Sequence, residues 1–355
     1  MNMKKLSILS FGLLFLLSLS AFGSEWRDVA PGDTVKLPAD LYFQKDYRIQ
    51  WWYFTGHLFD ANGREFGYEV TFFAAGVQKR TYRSRFGVDT IYLSHIAVTD
   101  VQGKRYYHFS TADASAYGFA GADDKRLHVW VDKDFVEGTS KKLHVKAITE
   151  DVGLDLFLVP VKSPVLNGER GYSRKSEASP LIASRYFSFT DLKTEGTMKL
   201  GSSVFSVRGQ SWFDREISSR GLSKDEAGWD WFALQLEDGR EIMLYYIRKK
   251  DGSIGAYSSG TLAQKDGRYR RLSKDDFMVG VVGHYISEHT GARYPSKWEI
   301  AIPSEDLRLV VTPLVQDQEF TSEDAMGNTY WEGTCGIEGS ARGRAYVEMT
   351  GYQAD

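Results

Sequence analysis

The sequence predicts an all-β protein built from antiparallel meanders. Short runs rich in aromatic and β-branched residues alternate with Asp, Asn and Gly turns; no long stretch beyond residue 23 keeps a 3.6-residue apolar repeat; and the runs recur at the spacing of barrels and sandwiches. Gln50 to Phe59 and Arg64 to Phe73 flank the turn Asp60-Ala61-Asn62-Gly63, and Ile91 to Thr99 and Lys104 to Ser110 flank Asp100-Val101-Gln102-Gly103. Glu237-Asp238-Gly239-Arg240 and Lys250-Asp251-Gly252-Ser253 repeat the device, because Asp-Gly pairs tolerate the positive φ of tight hairpins. Aromatic residues make up 14% of the 355-residue chain, enough core material for one large or two medium domains.

In chain order, a basic start, Met1 to Lys5, leads into an apolar run from Leu6 to Leu19 that is too short for a comfortable bilayer span. Ala21 and Gly23 are the small residues a signal peptidase needs, so residues 1–23 are expected to be a signal peptide. The mature chain is then expected to be exported, periplasmic or secreted, with no stable membrane anchor, since Cys335 is the single cysteine and none follows the apolar run for lipidation. One cysteine also excludes an internal disulfide, and packing must supply the stability. Loss of Lys4 and Lys5 would take the formal charge from −3 to −5, and no basic stripe points to nucleic acid.

Residues 24–217 are read as the first domain. Pro, Gly, Ser and Lys interrupt the strands between Lys162 and Ala183, which reads as a long loop over a pocket; strands at Tyr186 to Thr190 and Gly196 to Val207 follow. Ile217 to Ala227 is a polar connector, and residues 218–355 form the second domain, a meander from Trp229 to Tyr352 with no residue-level repeat of the first.

Chemistry is best sought near the middle of the chain. Gly209-Gln210-Ser211-Trp212-Phe213-Asp214-Arg215-Glu216 and Gly228-Trp229-Asp230-Trp231-Phe232 hold three of the nine tryptophans. In an extended strand the period of two puts Trp212, Asp214 and Glu216 on one face and Phe213 and Arg215 on the other. An apolar, ring-lined wall disfavours a charged carboxyl and raises its pKa, which suits a general acid. The same residues would also serve as barrel filling, with Arg215 and Glu216 solvated. Trp229 and Trp231 share a face from which Asp230 points away, so only one of those two groups can line the same cavity as Asp214.

Several ordered motifs together resemble one family: Gln50-Trp51-Trp52-Tyr53-Phe54-Thr55-Gly56-His57-Leu58, Tyr186-Phe187-Ser188, the blocks from Ser211 to Glu216 and from Gly228 to Phe232, and Tyr346-Val347-Glu348-Met349-Thr350-Gly351-Tyr352. The chain is similar over nearly its whole mature length to the lipocalin-like AttH family, often labelled predicted secreted hydrolases, which takes in the carotenoid 1,2-hydratases (hydroxyneurosporene synthases) and resembles certain fungal Diels-Alder cyclases in fold. The resemblance implies two lipocalin-like β-barrel domains packed together, with a ligand cavity at or near their contact and no cofactor. In its hydratase branch an Asp two residues after an aromatic protonates an isolated alkene, and Asp214 with Trp212 matches that place. Trp212 replaces the hydratase Tyr, the region Arg185 to Ser188 lacks the branch's His-x-Trp pair, and Gln50 stands where many relatives carry Glu. These departures point away from carotenoids.

The expected site therefore comprises Asp214 as acid, Asp230 or Glu216 to orient water or take its proton, and Trp212, Trp229, Trp231, Trp52, Tyr53 and Tyr186 as ligand contacts. Trp51, Trp52 and Tyr53 also suit the plugged base of a small barrel. The seven histidines include no HxH pair and no HExxH, so no metal is expected; His57 and His95 read as hydrogen-bonded interior or rim residues, and His284 and His289 as surface residues. No G-x-S-x-G nucleophile elbow occurs. The expected partner is an apolar small molecule, isoprenoid, lipid or polyketide-like, with a hydratase or cyclase activity through Asp214. A non-catalytic periplasmic carrier is the alternative, and a carbohydrate-active hydrolase with paired carboxyls a further one.

Overall fold

The computed structural model describes residues 26–79, 86–322 and 329–353; the expected signal peptide lies outside them. No α-helix occurs among the described residues, and the strands divide into two antiparallel sheets with no pairing between them. The first is built from β1 (Ile49–Phe59), β2 (Glu65–Gly76), β3 (Thr90–Asp100), β4 (Arg105–Ala114), β5 (Ala120–Ala122), β6 (Leu127–Val131), β7 (Asp134–Thr139), β8 (Lys142–Ile148), β9 (Val152–Pro160), β10 (Val165–Leu166), β11 (Tyr172–Arg174), β12 (Ala183–Leu200) and β13 (Ser203–Ser218). Its order, β4-β3-β2-β1-β13-β12-β9-β8-β7-β6-β5, curls until β5 and β6 lie against β3 and β4, giving a nearly closed barrel. The second holds β14 (Glu226–Leu236), β15 (Glu241–Lys249), β16 (Ser259–Ala263), β17 (Tyr269–Ser273), β18 (Met278–Ile286), β19 (Arg293–Ile302), β20 (Leu307–Pro313), β21 (Glu319–Thr321), β22 (Thr329–Gly339) and β23 (Gly343–Thr350). Its order, β17-β16-β15-β14-β23-β22-β20-β19-β18, makes a half-barrel. The all-β, paired-barrel architecture expected from the sequence is present.

Alternation along each strand decides what each sheet encloses. Trp52, Phe54 and Leu58 on β1 and Phe66, Tyr68, Val70 and Phe72 on β2 fill the first barrel, while Phe232, Leu234, Leu244, Trp298, Trp331 and Val347 fill the second. The residues between them point outward, and on β1, β2, β12 and β13 that outward face packs against the outward face of β14, β15, β22 and β23. Gly67 permits the approach, since a side chain there would meet the Thr334 methyl group. The segment between Lys162 and Ala183 does not form an open loop: β10 and β11 pair with β12, and the segment runs along the seam between the sheets. There Lys162 Nζ reaches Glu241 at 2.7 Å, and Asn167 Oδ1 accepts from Thr261 Oγ1 at 2.9 Å.

Arg215 is fully buried inside the first barrel rather than solvated. Its guanidinium lies 3.9 Å from the Trp52 ring and donates to the carbonyls of Asp40, Tyr42, Trp51 and Glu216 and to Gln50 Oε1 at 2.8 Å. It thus ties the segment around Asp40 across the barrel end. Arg215→Leu would withdraw five hydrogen bonds from this fan of buried acceptors, of which Gln50 Oε1 and the Tyr42 carbonyl keep a donor in Gln44, and we expect the variant to lose about 3 kcal/mol of stability. Urea denaturation checks this; a loss under about 1 kcal/mol would contradict the role given to Arg215.

Candidate active site between the two barrels

Strand register brings the candidate residues together. On the first sheet Ser188, Asp214, Tyr53 and Thr71 stand directly opposite one another on four adjacent strands, with Tyr186, Glu216 and Trp51 in the next row. On the facing sheet Tyr245, Trp231, Glu348 and Glu332 form a corresponding row. Stacking the two faces yields a buried cluster of Tyr53, Tyr186, Trp212, Trp231, Met243, Tyr245 and Tyr346, with Trp51 and Trp229 partly buried at its margin. The Trp231 ring meets Tyr53 edge-on at 5.3 Å and Trp212 edge-on at 6.2 Å.

Asp214 sits within this wall, 3% exposed. Its Oδ1 accepts from Ser188 Oγ at 2.5 Å and from Trp212 Nε1 at 2.7 Å, and its Oδ2 from the Tyr186 hydroxyl. Tyr186 in turn accepts from Trp231 Nε1 at 3.1 Å, and Ser188 from Asn167 Nδ2 at 2.9 Å. The direct donors thus all come from the first barrel, and the second reaches the carboxyl only through Trp231 and the Tyr186 hydroxyl. Burial lifts Asp214 to about 7, against the pull of the Ser188, Tyr186 and Trp212 donors, and nearby Glu216 adds to the rise. Glu216 points to the same face, and Lys175 Nζ lies 3.4 Å from its Oε2. That lysine also stands over the rings of Tyr245 at 4.5 Å and Tyr186 at 4.8 Å. Burial is the largest influence and opposes its charge, but Glu216, Tyr245 and Asp214 together outweigh it and the ammonium is held above its ordinary value.

The remaining candidates are divided between the seam and the interiors. Trp212, Trp231, Tyr53 and Tyr186 line the seam with Asp214 and Glu216, and Trp229 reaches its edge, where its Nε1 donates to Glu348 at 3.1 Å. Asp230 does not join them. It points into the second barrel's end, paired with Arg248 Nε at 2.9 Å and accepting from the Tyr352 hydroxyl at 3.1 Å, as the alternation of β14 requires. Trp52 likewise faces the first barrel's interior, where its Nε1 donates to the Leu41 carbonyl at 2.8 Å. His57 and His95 are buried in the seam beside Thr334 and Tyr330, and His289 is a surface residue against Asp317. No group of three or more metal-ligating side chains occurs among the described residues. Sequence reasoning missed Lys175, Ser188 and Asn167 as partners of the site, and the acids Glu69 and Glu332. Nothing local in the sequence singles any of them out, and only register across the sheets assembles them.

A broad surface hollow of about 700 Å³ lies elsewhere, lined by Phe59, Asn62, Lys193 and Arg208 at the far end of β1 and β13. It is open and contains none of the raised acids.

Fold and site together define a class: paired antiparallel barrels that enclose an acid and its aromatic wall in their seam. The profile of the AttH-like family matches residues 28–352, and the chain belongs to this family. The crystal structure of an AttH protein from Nitrosomonas europaea, 30% identical, matches with a TM-score of 0.84 over 92% of this chain and 99% of that one. Kievitone hydratase from Nectria haematococca, 15% identical, shares the fold with a TM-score of 0.69 over 93% of this chain and 97% of its own. Dehydratase asqC from Emericella nidulans is 21% identical over 243 residues, which is 65% of this chain and 67% of that protein.

The buried acids make stability fall with rising pH. Asp214 and Glu348 are lifted to about 7 and Glu69 to about 8, each chiefly by burial. Their folded values exceed their unfolded ones, so their protons stabilise the fold at acid pH, and that stabilisation is lost as pH rises towards 7–8. We expect the melting temperature to drop by several degrees between about pH 5.5 and 8.5, with a shallower slope in Asp214→Asn. A melting temperature that climbs across this window would contradict the electrostatics of the seam.

Proposed function

We propose that the protein binds an apolar small molecule, isoprenoid, lipid or polyketide-like, in the seam between its barrels and adds or removes water across a carbon–carbon double bond. Asp214 is the proton donor in this reading. The observation that carries it is a carboxyl lifted to about 7 by burial, gripped by Ser188, Tyr186 and Trp212 of the first barrel and walled by Trp212 and, from the second barrel, Trp231. A proton remains available there near neutral pH, in a medium dry enough to protonate a weakly basic alkene. That one related protein is a hydratase and another a dehydratase supports the reaction class.

In hydration the Asp214 proton passes to one alkene carbon, leaving the carboxylate and a carbocation at the other carbon. The indole faces stabilise the cation by roughly 1–2 kcal/mol once water is excluded. Water then bonds to the cationic carbon through oxygen, and its proton passes to the Glu216 carboxylate, about 6.6 Å along the strand from Asp214. Return of that proton to Asp214 completes the cycle, and the reverse order is dehydration. Lys175 is a positioning residue that holds Glu216. In this conformation the rings of Tyr53, Trp212 and Trp231 pack against one another, so a ligand enters by displacing them. A non-catalytic carrier is the second reading, favoured by the full set of hydrogen bonds that Asp214 already accepts.

Native mass spectrometry of protein purified from its own host identifies the retained compound, which is then incubated with enzyme in heavy water. We expect solvent deuterium at carbon, with at least about a hundredfold slower incorporation in Asp214→Asn and unchanged binding. Binding without incorporation would make the protein a carrier, and an empty seam would remove both readings.

The protein is also proposed to be exported, on the strength of the leader-like residues 1–23. N-terminal sequencing of the native protein should begin near Ser24; a chain that retains Leu6 to Leu19 would refute this.

A further inference from the structure

The reaction assigned to Asp214 and Glu216 leaves other buried acids of the seam unused. Glu69 and Glu332 are 1% and 2% exposed, and Glu348 stands directly opposite Glu332 on the neighbouring strand. The charges acting on Glu332 are those of Glu69 and Glu348, which raise it further above the range that burial already sets. One oxygen of each is hydrogen-bonded: Glu332 Oε1 accepts from the Tyr53 hydroxyl at 2.5 Å, Glu348 Oε2 from Trp229, and Glu69 Oε1 from Thr71.

Beside them stand buried polar atoms that no group among the described residues satisfies, namely Glu69 Oε2, Thr55 Oγ1, Tyr106 Oη and Tyr346 Oη. Thr55 and Tyr346 are 1% and 2% exposed. Thr55 is the direct cross-strand partner of Glu69 on the same face, which sets their Cβ atoms about 5 Å apart. Tyr346 comes from the opposite sheet and lies in the field of Glu332 and Glu69, and Tyr106 lies in the field of Glu69, Tyr346 and Glu332. An unmade hydrogen bond on one buried hydroxyl costs about 1–3 kcal/mol, so several converging on one place from two sheets call for a common partner.

We infer that Thr55, Glu69, Tyr106 and Tyr346 form a polar subsite for a neutral hydroxyl or carbonyl group, carried by the same ligand whose apolar body lies against Trp212 and Trp231. The inference rests on the reading that an apolar ligand occupies the seam. Hydroxyls both donate and accept, which matches a neutral oxygen group. Burial pushes Glu69 up to about 8, so near neutral pH it too holds a proton to donate. On β1 the subsite adjoins the aromatic wall, since Thr55 stands directly opposite Trp212 and two residues from Tyr53, the partner of Asp214.

Isothermal titration calorimetry at about pH 6 with three probes that share one apolar body tests this: 1-methylnaphthalene, 1-naphthylmethanol and 1-naphthylmethylammonium. We expect the alcohol to bind at least about tenfold more tightly than the hydrocarbon, the loss usual for one buried hydrogen bond. Thr55→Val and Tyr346→Phe should each remove most of that advantage while leaving hydrocarbon binding unchanged; if either melts below the assay temperature, Tyr106→Phe takes its place. Equal binding of alcohol and hydrocarbon would assign the four atoms to ordered water and overturn the subsite while leaving the seam reading intact. Tightest binding of the ammonium would overturn the neutral group in favour of a cation, and no binding of any probe would overturn both the subsite and the reading beneath it.

Discussion

Everything about the site depends on burying the outward face of one sheet against the outward face of another. Each barrel has its own apolar interior, so neither needs the other to fill a core. What the contact creates is a dry layer between them that contains Tyr53, Asp214 and Glu69 from one sheet and Trp231, Glu332 and Tyr346 from the other. In water the Asp214 carboxyl would be an ordinary carboxylate; between the sheets, desolvation dominates and makes it an acid. The seam is held by polar contacts at its edges as well as by rings at its centre. Arg344 grips Glu65 at one margin, Lys162 grips Glu241 at another, and Gln235 donates to the carbonyls of Thr190 and Ser211 across the gap.

The dipeptide Asp214-Arg215 shows how a strand separates charges that a reader of the sequence would pair. The two side chains leave β13 on opposite sides. The acid enters the seam, where the hydrogen bonds it accepts come from neutral hydroxyl and indole groups; the base enters the barrel, where it meets carbonyls and the Trp52 ring. Had they met, the carboxylate would be stabilised and its proton unavailable near neutral pH. Lys175, a cation close to this acid face, is aimed at Glu216. The two carboxyls of the face are therefore held differently, which suits one to give a proton and the other to take one.

Much of this was legible in the chain itself. The Asp-Gly turns marked hairpins that the sheets contain, such as the one from Glu237 to Arg240 that joins β14 to β15. The period of two placed Trp212, Asp214 and Glu216 together, turned Arg215 away from them and set Asp230 apart from Trp229 and Trp231. The paired-barrel fold of the AttH-like family was legible in motifs spread from Gln50 to Tyr352. Less visible was the fate of the outward positions. Thr55, Glu69, Glu332 and Tyr346 alternate with apolar neighbours as the solvent-facing residues of any barrel would, and nothing local distinguishes a face open to water from one covered by another domain.

The sequence by itself thus determined the strands, their turns and which residues share a face, because those follow from backbone geometry repeated every two residues. It also determined that an acid and a tryptophan share one wall. Only the tertiary structure decided that this wall is buried, that Ser188 and Tyr186 stand opposite Asp214 and Glu216, and that Lys175 reaches Glu216 from the segment between Lys162 and Ala183. The physical reason is that burial and register across sheets are properties of pairs of distant segments. A carboxyl's proton affinity is set by those distant neighbours rather than by the residues beside it in the chain.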